Sequence, residues 1–92
     1  MKNYKLLSTG RFKKDLKTII KRGYDISLLE TIVDTLLSGE SLPEKYKDHA
    51  LNGNWSNYRE CHVTPDWLLI YKIESDILVL TLTRTGSHSD LF

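Results

Sequence analysis

Two different hydrophobic periods divide this chain, and together they leave few folds open to it. Between residues 9 and 37 the apolar side chains recur at helical spacing: Phe12, Leu16, Ile19 and Ile20 fall at i, i+4, i+7 and i+8, and Leu29, Ile32, Val33, Leu36 and Leu37 form a second stripe. Each stripe predicts a helix that needs an apolar surface to cover. From residue 58 onward the period becomes two. Segments 58–63, 67–73 and 77–84 are rich in β-branched and aromatic residues, with Thr64-Pro65-Asp66 and Glu74-Ser75-Asp76 between them as turn material. The economical arrangement is a two-layer α+β fold, with two N-terminal helices packed on one face of a small three-stranded antiparallel sheet whose other face stays open. At 92 residues there is room for one hydrophobic core, so 1–92 reads as a single domain.

Local signals set the expected boundaries. Residues 4–8 read as a short edge strand, and Ser8 or Thr9 can cap the first helix, which Gly23 is placed to end. Ser27-Leu28-Leu29-Glu30 matches a capping box for the second helix, closed by Gly39. The short 23–27 connection predicts that the two helices run antiparallel. Residues 43–49 suit one helical turn and Asn52-Gly53-Asn54 a loop.

Charge is distributed unevenly behind a net of +1. Residues 1–24 hold eight basic side chains and a single acid, Asp15, whereas residues 25–92 hold five basic and eleven acidic ones. Lys13, Lys14, Lys17 and Lys21 fall off the apolar stripe of the first helix, giving it a basic outer face. Such a face suits a polyanion, and it equally describes a solvated helix. With 40% apolar residues, five Gly and two Pro, intrinsic disorder is excluded as a class. Residues 1–7 contain no apolar region of signal-peptide length, no stretch reaches the roughly 18 apolar residues of a membrane span, and the lone Cys61 cannot close an internal disulfide. A cytoplasmic protein with no membrane partner is expected.

Strand parity places Tyr58, Glu60 and His62 on one face and Arg59, Cys61 and Val63 on the other, so His62 faces outward if Cys61 and Val63 are core. The same rule aligns Arg84 with Leu80 and Leu82 on the core side unless a bulge turns it. His49, His62 and His88 lie on separate segments that can meet at one end of the sheet, where imidazoles can share general-base and general-acid work. Asp66 is a candidate to orient one ring, and Arg84 to hold a phosphate through two contacts. Trp67 and Phe92 offer flat faces for a base, although Trp67 equally suits the sheet core. The set fits phosphodiester transfer in RNA without a metal or other cofactor. His49, Cys61 and His62 match no paired zinc-ligand spacing, and adjacent strand residues point to opposite faces.

These residues carry a resemblance. The stretches Tyr46-Lys47-Asp48-His49-Ala50-Leu51 with Gly53 and Trp55, Tyr58-Arg59-Glu60-Cys61-His62-Val63 followed by Pro65-Asp66-Trp67 and Ile70-Tyr71, and Arg84-Thr85-Gly86-Ser87-His88 with Leu91-Phe92 resemble the RelE/ParE superfamily of bacterial type II toxins, most closely its YafQ-like branch of ribosome-dependent mRNA interferases. The resemblance implies a RelE-like two-layer fold and a toxin that enters the A site of the 30S ribosomal subunit, cuts bound mRNA and is silenced by a cognate antitoxin, meeting DNA only through that complex. It implies a metal-independent reaction at His49, His62, Asp66, Arg84, His88 and Phe92, with Trp67 also matching. Attack by a ribose 2′-OH would leave a 2′,3′-cyclic phosphate and a 5′-OH. The alternative within the superfamily is a ParE-like member that inhibits a protein such as gyrase without RNA chemistry, and a third reading is a DNA-binding accessory acting only with its antitoxin. Three His residues with Asp66 favour the nuclease.

Overall fold

The computed structural model describes residues 3–92, so Lys2, counted above in the basic segment, lies outside the described residues. The chain runs β1 (Lys5–Ser8), α1 (Gly10–Lys21), α2 (Ile26–Leu37), a single 3-10 turn at Glu44–Tyr46, β2 (His49–Ala50), a second such turn at Gly53–Trp55, β3 (Arg59–Thr64), β4 (Trp67–Glu74), β5 (Val79–Gly86) and α3 (His88–Leu91). The architecture is α+β, as the two periods predict. The sheet is larger and mixed, however: five strands in the order β1-β5-β4-β3-β2, with β1 parallel to β5 and the other pairs antiparallel. β1 is the edge strand expected at residues 4–8, joined in parallel to a partner more than 70 residues away in sequence, whereas β2, only two residues long and pairing at the opposite edge, escaped the sequence reading.

Core residues fall where the stripes place them. Phe12 and Ile19 from α1, Leu29, Ile32, Val33 and Leu36 from α2, and Cys61, Val63, Trp67, Leu69, Tyr71, Leu80 and Leu82 from the sheet form one buried cluster. Ile20, assigned to the stripe, is exposed instead, at its margin. Ile77 and Leu78 are likewise exposed, in the β4–β5 turn, where Leu78 adopts a left-handed φ of 52°. Cys61 is fully buried, and burial pushes its thiol up to about 12, so it packs as a small apolar group rather than a nucleophile.

The helix starts show how capping chemistry ties the layers together. Thr9 caps α1: its Oγ1 accepts from Phe12 N–H at 3.0 Å and donates to the Thr83 carbonyl at 2.7 Å, so the first turn is fastened to β5. The capping box expected at Ser27 does not form. Asp25 caps α2 by accepting from Ser27 N–H at 3.0 Å, and the Ser27 hydroxyl also donates to it, because the helix starts at Ile26, one residue before the proposed box. Gly23 leaves α1 at φ 83°, a left-handed value that a Cβ resists.

Asp25→Ala is expected to lower stability by about 1 kcal/mol, the usual loss on removing an acidic N-cap. Glu30→Gln should stay within about 0.5 kcal/mol, because no capping contact depends on it. Urea denaturation of both variants checks the assignment.

Candidate active site

Of the candidate residues, His49, His62 and Arg84 share the sheet face turned away from the helices, and a break in β5 puts the arginine there. Ile70 pairs with Arg84 but Tyr71 pairs with Leu82, so Thr83 is an extra residue on β5. Before this bulge Leu80 and Leu82 face the core; after it parity flips, Thr85 faces inward and Arg84 outward. The alignment of Arg84 with the leucines fails for that reason. Register now lays His49, Glu60, Ile70 and Arg84 in one row across four strands, with His62, Leu68 and Gly86 in the neighbouring row. Leu68 and Ile70 are almost fully buried although they are not part of the helix-side cluster, and form the floor between these rows.

His49 is fixed by its surroundings. Asp48, the residue before it, accepts from the Tyr71 hydroxyl at 2.5 Å and from the Arg59 guanidinium at 3.2 Å, anchoring the segment to the end of β3 and β4. Burial first, and the Asp48 contact second, hold the Tyr71 hydroxyl protonated well above its ordinary range. Lys47 takes a left-handed φ of 50° and turns its carbonyl to within 2.8 Å of His49 Nδ1. That contact requires the proton on Nδ1, which leaves Nε2 facing a Glu60 oxygen at 3.4 Å. The His62 ring lies 6.4 Å from that of His49, makes no hydrogen bond to protein among the described residues, and opens on a cleft of about 410 Å³ lined also by Lys45, Tyr46, Lys47 and Pro65. A larger hollow of about 560 Å³, between Tyr58, Lys72 and Asp76, contains no imidazole, so size alone marks the wrong end of this face.

At the other side of the floor, Asp15 holds the Arg84 guanidinium through Nε at 2.7 Å and Nη2 at 3.1 Å, and also accepts from Thr85 N–H at 3.2 Å. The fork orients the guanidinium and keeps it firmly charged, while Nη1 has no protein acceptor among the described residues. His88 and Phe92 lie on and just after α3, two residues beyond Gly86, with ring centroids 5.3 Å apart. Phe92 is 55% exposed, as a stacking surface must be.

Two expected residues stand elsewhere. Trp67 is 2% exposed, donates from Nε1 to Thr85 Oγ1 at 2.8 Å and meets Tyr24 edge-on, so no face is open for a base. Its contact with Thr85 instead steadies the strand beside Arg84. Asp66 sits exposed in the β3–β4 turn and makes no hydrogen bond to an imidazole; the carboxylate that meets one is Glu60. Parity with His62 marked Glu60, and Asp15 was conspicuous as the single acid of a basic helix, but neither position alone reveals its partner. Lys13, Lys14, Lys17 and Lys21 are exposed along α1, as expected. Among the described residues no group of three His, Cys, Asp or Glu is arranged to hold a metal ion, and no helix is long and apolar enough to cross a membrane.

Residues 4–92 match the sequence profile of the family described as the bacterial toxin of type II toxin-antitoxin system, YafQ. The chain belongs to the YafQ family of toxins. It is 42% identical over 85 residues to the mRNA interferase toxin YafQ of Escherichia coli K12, covering 91% of this chain and 90% of that protein. Its fold superposes on YafQ in the E. coli DinJ–YafQ complex with a TM-score of 0.90 at 40% identity, over 98% of this chain and 99% of that one. A metal-bound toxin from Helicobacter pylori matches along the whole of both chains, with a TM-score of 0.89 and 43% identity. The RelE-like fold that the motifs implied for this YafQ-family chain is thus confirmed.

α3 itself gives a pH test. Asp90 is held well below the usual carboxylate range, by hydrogen bonds from Arg22 first and from Ser87 N–H second. A carboxyl depressed in the folded state contributes stability above its unfolded value of about 4, and that contribution disappears only as pH falls through the folded value. Amide-exchange protection of residues 88–92 is therefore expected to be level from pH 7 to about 4.5 and to fall in stronger acid. A loss between neutrality and pH 5 would assign the restraint to another group.

Proposed function

We propose that this protein is the endoribonuclease toxin of a type II pair, cleaving mRNA in the ribosomal A site by metal-independent acid/base transesterification, under the control of a cognate antitoxin. The reading is supported by an imidazole, His62, and a fixed guanidinium, Arg84, placed by strand register on one sheet face, with the His88 imidazole beside the exposed Phe92 ring directly after the strand that carries Arg84. The curated E. coli relative, named an mRNA interferase, and its complex with DinJ support the same activity and the same kind of partner.

Each step finds a side chain of the needed type. The ribose 2′-OH must lose a proton as its oxygen bonds to the adjacent phosphorus. His62 is the base whose ring makes no hydrogen bond to protein among the described residues, whereas His49 Nδ1 is taken by the Lys47 carbonyl and its Nε2 faces the Glu60 carboxylate. His49 and Glu60 orient that end of the site, with Asp66 near the turn as an added negative charge. As the P–O5′ bond breaks, the departing oxygen takes a proton from His88, giving a 2′,3′-cyclic phosphate and a 5′-OH. Arg84 Nη1 meets the charge that builds on the nonbridging oxygens, already aimed by Asp15 and so needing little reorganisation. Phe92 stacks a neighbouring base. The lysines of α1 dock on ribosomal RNA phosphates, a sequence-independent and salt-sensitive contribution.

In a ribosome-programmed assay with mapped 5′ ends, His88→Ala should lower the rate about 10²- to 10⁴-fold, the usual range for removing a general acid, with the fold intact by circular dichroism. Arg84→Ala should lose a comparable factor and also about 1–3 kcal/mol of stability, because it strands the Asp15 carboxylate; Arg84→Ala with Asp15→Asn should recover stability but not cleavage. Toxin stripped with EDTA and desalted before meeting Mg²⁺-replete ribosomes should cleave at the unstripped rate, and a requirement for added transition metal would overturn the metal-independent step. Wild-type cleavage by either His88→Ala or Arg84→Ala would remove that residue's role, whereas no cleavage by the unaltered protein in this assay would leave the protein-binding, ParE-like reading in its place.

Reversing Lys13, Lys14 and Lys17 to Glu should weaken ribosome association and flatten its salt dependence, with single-turnover cleavage of bound complexes preserved. Unchanged association would return α1 to a solvated helix face.

A further inference from the structure

α3 and its C-cap carry two residues of the proposed site, His88 and Phe92, yet little holds them in place. The helix is four residues long, far below the roughly 12 at which an isolated helix is even marginal in water. His88, Ser89, Asp90 and Phe92 are all exposed. The restraint comes from one carboxylate. Asp90 Oδ2 accepts from Ser87 N–H at 2.9 Å, while Ser87 Oγ accepts from Asp90 N–H, so the two residues cap each other. The same carboxylate takes both arms of Arg22, Nη1 to Oδ2 at 2.6 Å and Nη2 to Oδ1 at 3.1 Å. Arg22 is the C-cap of α1, with its own N–H bonded back to the Thr18 and Ile20 carbonyls. Gly86 backs onto the cluster at φ 154°, where an added Cβ would lie 3.0 Å from Asp90 Oδ2. One carboxylate therefore joins the end of β5, the start of α3 and the end of α1.

Exposed ion pairs contribute little on average, because two long side chains must be ordered to form them. Here the carboxylate is already fixed by its cap and the contact is a two-armed fork, the geometry in which an arginine loses least freedom for each bond formed.

We infer that Arg22 and Asp90 form a positioning pair: their bidentate contact fixes α3 against the end of α1, sets where His88 and Phe92 stand, and so governs the rate of RNA cleavage without either residue touching RNA. The inference rests on the site reading given above. It has a signature that plain charge effects lack. Removing an acid beside a polyanion site should by itself tighten RNA binding, and removing a base from α1 should weaken it. A positioning pair requires instead that both changes slow the chemical step.

The test compares Asp90→Asn, Arg22→Gln and the double variant in ribosome-programmed cleavage, with backbone amide exchange of residues 88–92 measured on the RNA-free protein. Each single change is expected to lower kcat about 5- to 10-fold, as for a small misplacement of a reacting group, with KM moving far less. The double variant should be no slower than the slower single one, since the two residues act through one contact. Exchange of the α3 amides should quicken in all three. Unchanged exchange in both single variants, or an Arg22→Gln effect confined to KM, overturns the pair. Faster exchange with wild-type kcat, while His88→Ala is inactive, overturns positioning and leaves the site reading standing. Fully active His88→Ala and Phe92→Ala would remove the site reading itself, and the exchange data would then report only that the pair anchors α3.

Discussion

One extra residue in β5 decides what the outer face of this protein can do. Without Thr83 as a bulge, the alternation that buries Leu80 and Leu82 would turn Arg84 into the apolar helix-side cluster too. A bare guanidinium there would be prohibitively unfavourable. The bulge turns Arg84 to the other face and brings Thr85 inward, where Trp67 donates to its hydroxyl and that hydroxyl donates to the Leu68 carbonyl. Thr83 also offers its carbonyl to the Thr9 cap of α1, which places Asp15 against the Arg84 fork. A strand irregularity, a helix cap and an ion pair thus form one device.

Much of the fold was written in residue order. The stripes through Phe12 and Ile19 and through Leu29, Ile32, Val33 and Leu36 marked both helices and their buried faces, and the 65–66 turn separated β3 from β4. What escaped were features set by partners distant in sequence. His49–Ala50 has no strand signal of its own and is held as one by the bonds of Asp48 to Tyr71 and Arg59. The parallel pairing of Lys5–Ser8 beside Val79 to Leu82 has no local signature at all. At α2, Asp25 outcompeted Ser27 for the cap because an anionic acceptor one residue before the helix serves the same orphaned N–H groups.

The site was legible in its residue types and less so in their roles. His49, His62, Arg84, His88 and Phe92 were singled out from chemistry and family resemblance; strand register puts the first three on one face, and the His88 and Phe92 rings lie together on and just after the short helix that follows β5. Trp67 was ambiguous on its residue type, and burial assigns it to the core. Which carboxylate meets which cation could not be read in advance: Glu60 rather than Asp66 faces an imidazole, and Asp15, Asp48 and Asp90 each secure an arginine. These pairings join elements up to 69 positions apart and depend on backbone registers that hydrophobic periodicity leaves unspecified.

The pairing of the first strand with the last has a consequence for how the protein comes into being on a ribosome. Thr9 and Thr83 meet across 74 positions of sequence, so a nascent chain can form α1 and α2 early but cannot close its sheet until β5 has emerged. Such long-range closure is slow relative to helix formation. Chains that stop short of β5 lack Arg84, His88 and Phe92 together with the strand that holds β1, so a closed sheet and the complete set of candidate residues arrive in the same final step.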